Sequence, residues 1–201
     1  MKIDEEKRKY EVNLLNSCKI KPKWIPRFLS GQYSWKIFSG KWKLESPNKL
    51  KYFHNPGVRF GENISIAGSG EWNDFALQAK FKFLNESSRP PEGGAILYFL
   101  FRNIKNHYSL HFCLSKKRIE FVKRYKGNWS ILESKSYDLE TQREYFTTII
   151  TKSGFHYCQM DGGDLIICGD RDISKGCVGI GTKYCDTEFN SISISLRADH
   201  S

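Results

Sequence analysis

This sequence predicts an all-β protein, a two-sheet antiparallel sandwich, on three observations. Aromatic residues make up 14% of the chain, a high share that suits the half-buried surfaces of strands. Stretches with helical periodicity are few, and short alternating runs are punctuated by Gly, Asn and Asp, as in antiparallel hairpins. Between Gly94 and Lys123 the alternation is regular enough to assign side chains to faces by eye. At 201 residues the chain can bury one well-formed core. One domain is expected over residues 34–197, after an N-terminal extension and approach segment over residues 1–33.

Residues 1 to about 20 are highly charged, with Ile3, Tyr10 and Leu14 near helical spacing after an Asp4 cap, which reads as a short helix or a docked extension. Lys21-Pro22-Lys23-Trp24-Ile25-Pro26 cannot continue a helix, because proline lacks the amide donor and restricts the residue before it. Strands are expected near 34–38, 41–45, 49–54, 62–67 and 74–84. In the last of these Phe75, Leu77, Ala79, Phe81 and Phe83 face one way, and Gln78, Lys80 and Lys82 the other. Residues 85–94, with two prolines and two glycines, read as an exposed loop.

Two adjacent hairpins follow, and side chains on a strand point alternately to opposite faces. Leu97, Phe99, Phe101, Tyr108, Leu110, Phe112, Leu114, Ile119 and Phe121 form one apolar face, interrupted by turns at 103–106 and 115–118. The other face carries Tyr98, Leu100, Arg102, Ser109, His111, Cys113, Glu120, Val122 and Arg124. A one-residue bulge would exchange the two sets wherever it fell. Strands near 129–134, 145–152 and 155–160 lead to Asp161-Gly162-Gly163 and a partner at 165–168; Asp-Gly between strands is a hairpin signal, because glycine accepts positive φ. The chain closes with Val178–Gly181 and a strand in which Ile192, Ile194 and Leu196 are expected in the core and the intervening serines in solvent.

The net charge of +10 favours anionic partners in general. The basic residues are spread along the chain without a nucleic-acid-binding signature, so nucleic acid is not the expected partner. No apolar run reaches the length of a membrane span, and Met1–Arg8 lacks a secretory hydrophobic stretch; with Met1 as the native start, a cytoplasmic protein is expected. Cys18, Cys113, Cys158, Cys168, Cys177 and Cys185 show no zinc-site spacing. Cys158 with Cys168 and Cys177 with Cys185 could pair, or all six could be buried thiols acting as small hydrophobes.

The order of segments resembles the concanavalin A-like jelly rolls, the superfamily of lectins, glucanases and laminin-G-like domains. The resemblance rests on Trp35-Lys-Ile-Phe-Ser-Gly-Lys-Trp42, Glu71-Trp-Asn-Asp-Phe-Ala-Leu-Gln-Ala-Lys80, Gly94-Ala-Ile-Leu-Tyr-Phe-Leu-Phe-Arg102 and Asn106-His-Tyr108. Met160-Asp-Gly-Gly163, Gly176-Cys-Val-Gly-Ile-Gly181 and Phe189-Asn-Ser-Ile-Ser-Ile194 extend it, so that it spans about residues 34 to 197. These motifs encode fold more than activity.

In that architecture the resemblance implies a carbohydrate site on a curved sheet face. Tyr98, Arg102, His111, Glu120 and Arg124, with Trp129, are then the candidate ligand-binding residues, because arginine holds planar anions and aromatic faces stack on sugar rings. Trp72 also lies beside a polar turn and is a second candidate platform. The simpler reading is that these groups satisfy one another on a solvated sheet.

The Glu-x-Asp-x-Glu strand of retaining glycosidases with this fold is absent. Glu120 and His111 are the weak catalytic candidates, as a cross-strand pair able to move a proton. The resemblance also implies a structural calcium, for which Asp170, Asp172, Asp186 and Glu188 are loop candidates, although turn-forming acids explain them as well. Three readings stay open: a non-catalytic binding module for polar or anionic glycan, a glycan-acting hydrolase or lyase, and a protein-interaction domain.

Overall fold

A computed structural model describes residues 23–24, 35–40, 42–46, 49–52, 62–86 and 93–196. The helix expected before residue 21, Cys18 and most of the expected 85–94 loop lie outside the described residues, as do the side chains of Trp24 and Leu196. The described residues form strands and no helix. In chain order these are β1 (Lys23–Trp24), β2 (Lys36–Ile37), β3 (Trp42–Ser46), β4 (Lys49–Tyr52) and β5 (Asn63–Ala67). Next come β6 (Phe75–Phe83), β7 (Gly94–Asn103), β8 (Asn106–Cys113), β9 (Arg118–Tyr125) and β10 (Asn128–Ser136). The last five are β11 (Glu144–Lys152), β12 (Phe155–Met160), β13 (Ile166–Gly169), β14 (Cys177–Lys183) and β15 (Thr187–Leu196).

Two antiparallel sheets hold them. The first runs β13-β12-β11-β6-β15-β4-β3 with β1 also paired to β15, and the second runs β10-β9-β8-β7-β14-β5-β2. The sandwich expected from the alternation is therefore present, and its core is where the period placed it. Phe75, Leu77, Ala79, Phe81 and Phe83 of β6 meet Leu97, Phe99, Leu110, Phe112 and Phe121 of the second sheet. Phe81 is central, with ring centroids 4.5 Å from Phe112 and 5.5 Å from Tyr145. Each such side chain contributes roughly 1.5–3 kcal/mol through burial. The β12–β13 connection is the tight turn that Asp-Gly predicts: Asp161 and Gly162 have φ of 48° and 73°, and Gly163 N–H donates to Met160 O at 2.7 Å.

The alternation fails at one place in β7. Leu100 has φ of 48° and the β7–β8 register shifts between Phe99 and Asn103, a bulge that reverses the phase. Leu100, expected on the mixed face, joins the main core. Phe101, expected in the core, turns to the other side, with Ile64, Ile96 and Tyr98. A second correction concerns β15, whose serines were expected in solvent. Ser193 and Ser195 are buried, because β15 lies inside its sheet; Ser193 Oγ donates to Gln78 Oε1 at 3.3 Å. The five described cysteines are free thiols, and in register Cys158 opposes Ile166 while Cys168 opposes His156.

Candidate functional site

The outer face of the second sheet is built from strands whose inner face fills the core. On β8 the outward residues are His107, Ser109, His111 and Cys113, and β9 sets Arg124, Val122, Glu120 and Arg118 opposite them. β10 adds Trp129 opposite Arg124 and Ile131 opposite Val122, while β7 places Tyr98 opposite Ser109. Five of the six candidate ligand-binding residues, Tyr98, His111, Glu120, Arg124 and Trp129, thus share one face. Arg102 does not join them. It follows the Leu100 bulge, is exposed, and its charge acts on Glu71, which pairs with Lys175.

Half of this face is sealed and half is open. Tyr98 has no exposed surface. Its ring lies against Gly181, where a β-carbon would stand 2.7 Å from Tyr98 Cε2, and its hydroxyl donates to Glu62 Oε2 at 2.8 Å. It is a packed residue and offers no surface for stacking. Trp129 is 46% exposed and its neighbour Ile131 48%. The indole meets the His111 ring edge-on at 5.2 Å.

The polar groups between these halves are tightly held. His111, only 8% exposed, is hydrogen-bonded through Nε2 to Ser109 Oγ at 2.9 Å. Burial pushes its pKa down to about 4, against the opposing pull of Glu62 and Glu120, so the ring is neutral at pH 7. His107 Nδ1 donates to Asn103 O at 3.1 Å, and burial lowers its pKa as well. Glu120 Oε1 forms an ion pair with Arg118 Nη2 at 2.5 Å. Buried nitrogens without a hydrogen-bond partner gather here: His107 Nε2, Arg118 Nε and Arg124 Nε. Glu62, His107 and Arg118 were missed in the sequence; His107 and Arg118 could have been found, two residues before Ser109 and Glu120 on the same strand faces.

No family model matches the chain, and neither does any curated protein. Solved structures do. A carbohydrate-binding module of Bacillus subtilis superposes with a TM-score of 0.69 at 15% identity, over 80% of this chain and 94% of that one. The exoplasmic/lumenal domain of VIP36, bound to Ca2+ and Man3GlcNAc, gives 0.61 at 11% identity over 89% and 90%. A Bacillus subtilis protein with a galectin-like fold gives 0.57 at 12% identity over 83% and 91%. The fold is the concanavalin A-like jelly roll.

Within this jelly roll the four acidic residues considered for calcium do not assemble. Asp170 and Asp172 both pair with Lys123, whose Nζ lies 2.7 Å from Asp172 Oδ2; Asp170 also accepts from the Tyr108 hydroxyl. Asp186 accepts from Asn85 Nδ2 at 2.7 Å, and buried Glu188 faces Lys82 at 3.7 Å. Calcium needs six to eight oxygen ligands around one point. Here an ammonium stands between the only two of these carboxylates that meet, and no group of three or more candidate ligands occurs among the described residues. These residues do not fit a calcium ion. Trp72 is likewise excluded as a stacking platform: it is buried in the main core, over Gly68.

Proposed function

We propose that this jelly roll is a non-catalytic carbohydrate-binding module that meets polar or anionic glycan on the outer face of its second sheet. The observation that carries the reading is Trp129. A half-exposed indole stands directly cross-strand from Arg124, beside the polar row of His111, Glu120 and Arg118. A guanidinium holds planar anions and an exposed aromatic face stacks on a sugar ring. The Bacillus subtilis module and the Man3GlcNAc-bound VIP36 domain lend support at the level of fold.

A hydrolase or lyase working through Glu120 and His111 has less support. A general acid or base is most effective with a pKa near the working pH, whereas His111 sits at about 4 and Glu120 faces Arg118.

Calorimetry against acidic and neutral oligosaccharides tests the proposal, with Trp129→Ala and Arg124→Gln as variants. Binding is expected to weaken at least about tenfold in Trp129→Ala, and acidic ligands are expected to lose more than neutral ones in Arg124→Gln. Absence of binding to every oligosaccharide, or binding indifferent to both substitutions, would overturn it.

A further inference from the structure

A cavity of about 420 Å3 opens between Leu100 of the second sheet and Thr151 of the first, within the roughly 300–1,000 Å3 of small-molecule sites. It lies apart from the outer face, since none of the residues placed on that face lines it. Leu100 and buried Ile173 supply apolar surface, and the remaining walls are polar: the 73–74 segment before β6, the Ser153-Gly154 turn between β11 and β12, and the 171–174 segment.

Arg171 is the one cation among the described lining residues, and Asp74 the one anion. The sequence neighbours of Arg171, Asp170 and Asp172, are both taken by Lys123, and Arg171 forms no ion pair with a carboxylate among the described residues. Its side chain is nonetheless placed. A β-carbon on Gly154 would stand 2.3 Å from Arg171 Cγ, so the aliphatic stem lies across that glycine, and the guanidinium sits 6.0 Å from the Phe155 centroid. Gly154, with φ of 81°, serves both the turn and the stem. The opposite wall is tied to the same turn: Asp74 Oδ1 accepts from Ser153 N–H at 3.0 Å. Asn73 uses its Oδ1 on Asp74 N–H at 2.7 Å, which leaves its amide donors for the cavity. Ser174 adds a hydroxyl.

We infer that this cavity binds a polyhydroxylated carboxylate of monosaccharide size, a uronate in chemical type. The planar guanidinium forks onto the carboxylate, while Asn73, Ser153 and Ser174 meet hydroxyls and Leu100 with Ile173 receives the apolar side of the ring. The site is independent of the outer face, and either can fail without the other.

The test is a backbone-amide NMR titration of the full chain with D-glucuronate, D-glucose and acetate in parallel, repeated on Arg171→Gln and Arg171→Lys. Glucuronate is expected to shift the amides of Ser153, Gly154 and Ser174. Affinity read from these amides should fall about tenfold in Arg171→Gln and by less in Arg171→Lys, which keeps charge and loses the fork. Glucose and acetate should bind at least about tenfold more weakly than glucuronate. Shifts confined to the outer face, no saturable shift at this cavity, equal binding by acetate or glucose, or full affinity in Arg171→Gln would each overturn the inference.

Discussion

Gly176 lies so close to the peptide of Leu100 that a β-carbon on it would stand 2.3 Å from the Leu100 carbonyl carbon and 2.6 Å from the Phe101 nitrogen. Leu100 holds φ of 48°, a conformation that costs a non-glycine residue roughly 1–3 kcal/mol. The bulge persists because Leu100 gains the core and the backbone of Gly176, whose amide is fixed to Trp72 O at 2.9 Å, closes over it. Gly176→Ala is expected to destabilise the fold by about 3 kcal/mol, since backbone cannot step aside as a side chain does. Urea unfolding monitored by tryptophan fluorescence measures it; a loss below 0.5 kcal/mol would show that the contact relaxes freely.

The outer face should divide into a structural half and a binding half. Tyr98→Phe removes the donor to Glu62 Oε2 from a part-buried pair and is expected to cost about 1 kcal/mol. Trp129→Ala, at a half-exposed position, should change stability by no more than about 0.5 kcal/mol. Denaturant midpoints of the two variants give the comparison directly.

Buried histidines, His107 among them, tie stability to pH. His111 and His156 are both pushed down to about 4 by burial, from a reference of 6.5. Because the folded value lies below the unfolded one, the unfolded chain takes up protons first as pH falls. Stability is therefore expected to drop between about pH 6.5 and 4, by about 1.4 kcal/mol per pH unit for each histidine, and to be restored on returning to neutral. Unfolding midpoints across this range, in the wild type and in His156→Gln, isolate the contribution of His156; the variant should show the shallower slope. Identical slopes would exclude this origin.

Burial also silences the thiols. Cys113, Cys158 and Cys168 are pushed up to about 12 and Cys185 to about 11, which leaves little thiolate at neutral or mildly alkaline pH. Iodoacetamide is expected to leave these four unmodified in the native protein and to alkylate them after denaturation. Peptide mass mapping reads the pattern, and native labelling at any of the four would contradict it.

The Lys123 clamp at the sandwich end is a further target. Lys123→Met leaves Asp170 and Asp172 facing each other and the Tyr108 hydroxyl on an unneutralised carboxylate, in a partly buried setting. A loss of about 2 kcal/mol is expected, smaller in Lys123→Met/Asp170→Asn than the sum of the single changes. Additivity in the double-mutant cycle would show that the pair is uncoupled.

The alternation in β6, β8 and β9 could be read directly because the side-chain period of a strand is local. Phe75 to Phe83 and Leu110 to Phe121 reached the core in the phase that their spacing predicts, and the pairing of His111 with Glu120 followed from the hairpin register. The same rule misplaced Leu100, Phe101 and Arg102. Nothing between Gly94 and Arg102 marks a bulge, since the residue that closes over it is Gly176, far along the chain. Glu62 under Tyr98 and the unpaired state of Arg171 were hidden for the same reason.

By itself, then, the sequence determined the class of fold, the strand order of the two central hairpins, the Asp161-Gly162 turn and most of the core, all governed by a two-residue period and local turn chemistry. The tertiary structure alone decided which side of β7 each residue takes after Phe99, that the acidic residues 170 and 172 are spent on Lys123, and that Arg171 is left facing a cavity. These depend on which distant backbone or charge comes to rest beside a given residue, and no period along the chain encodes that.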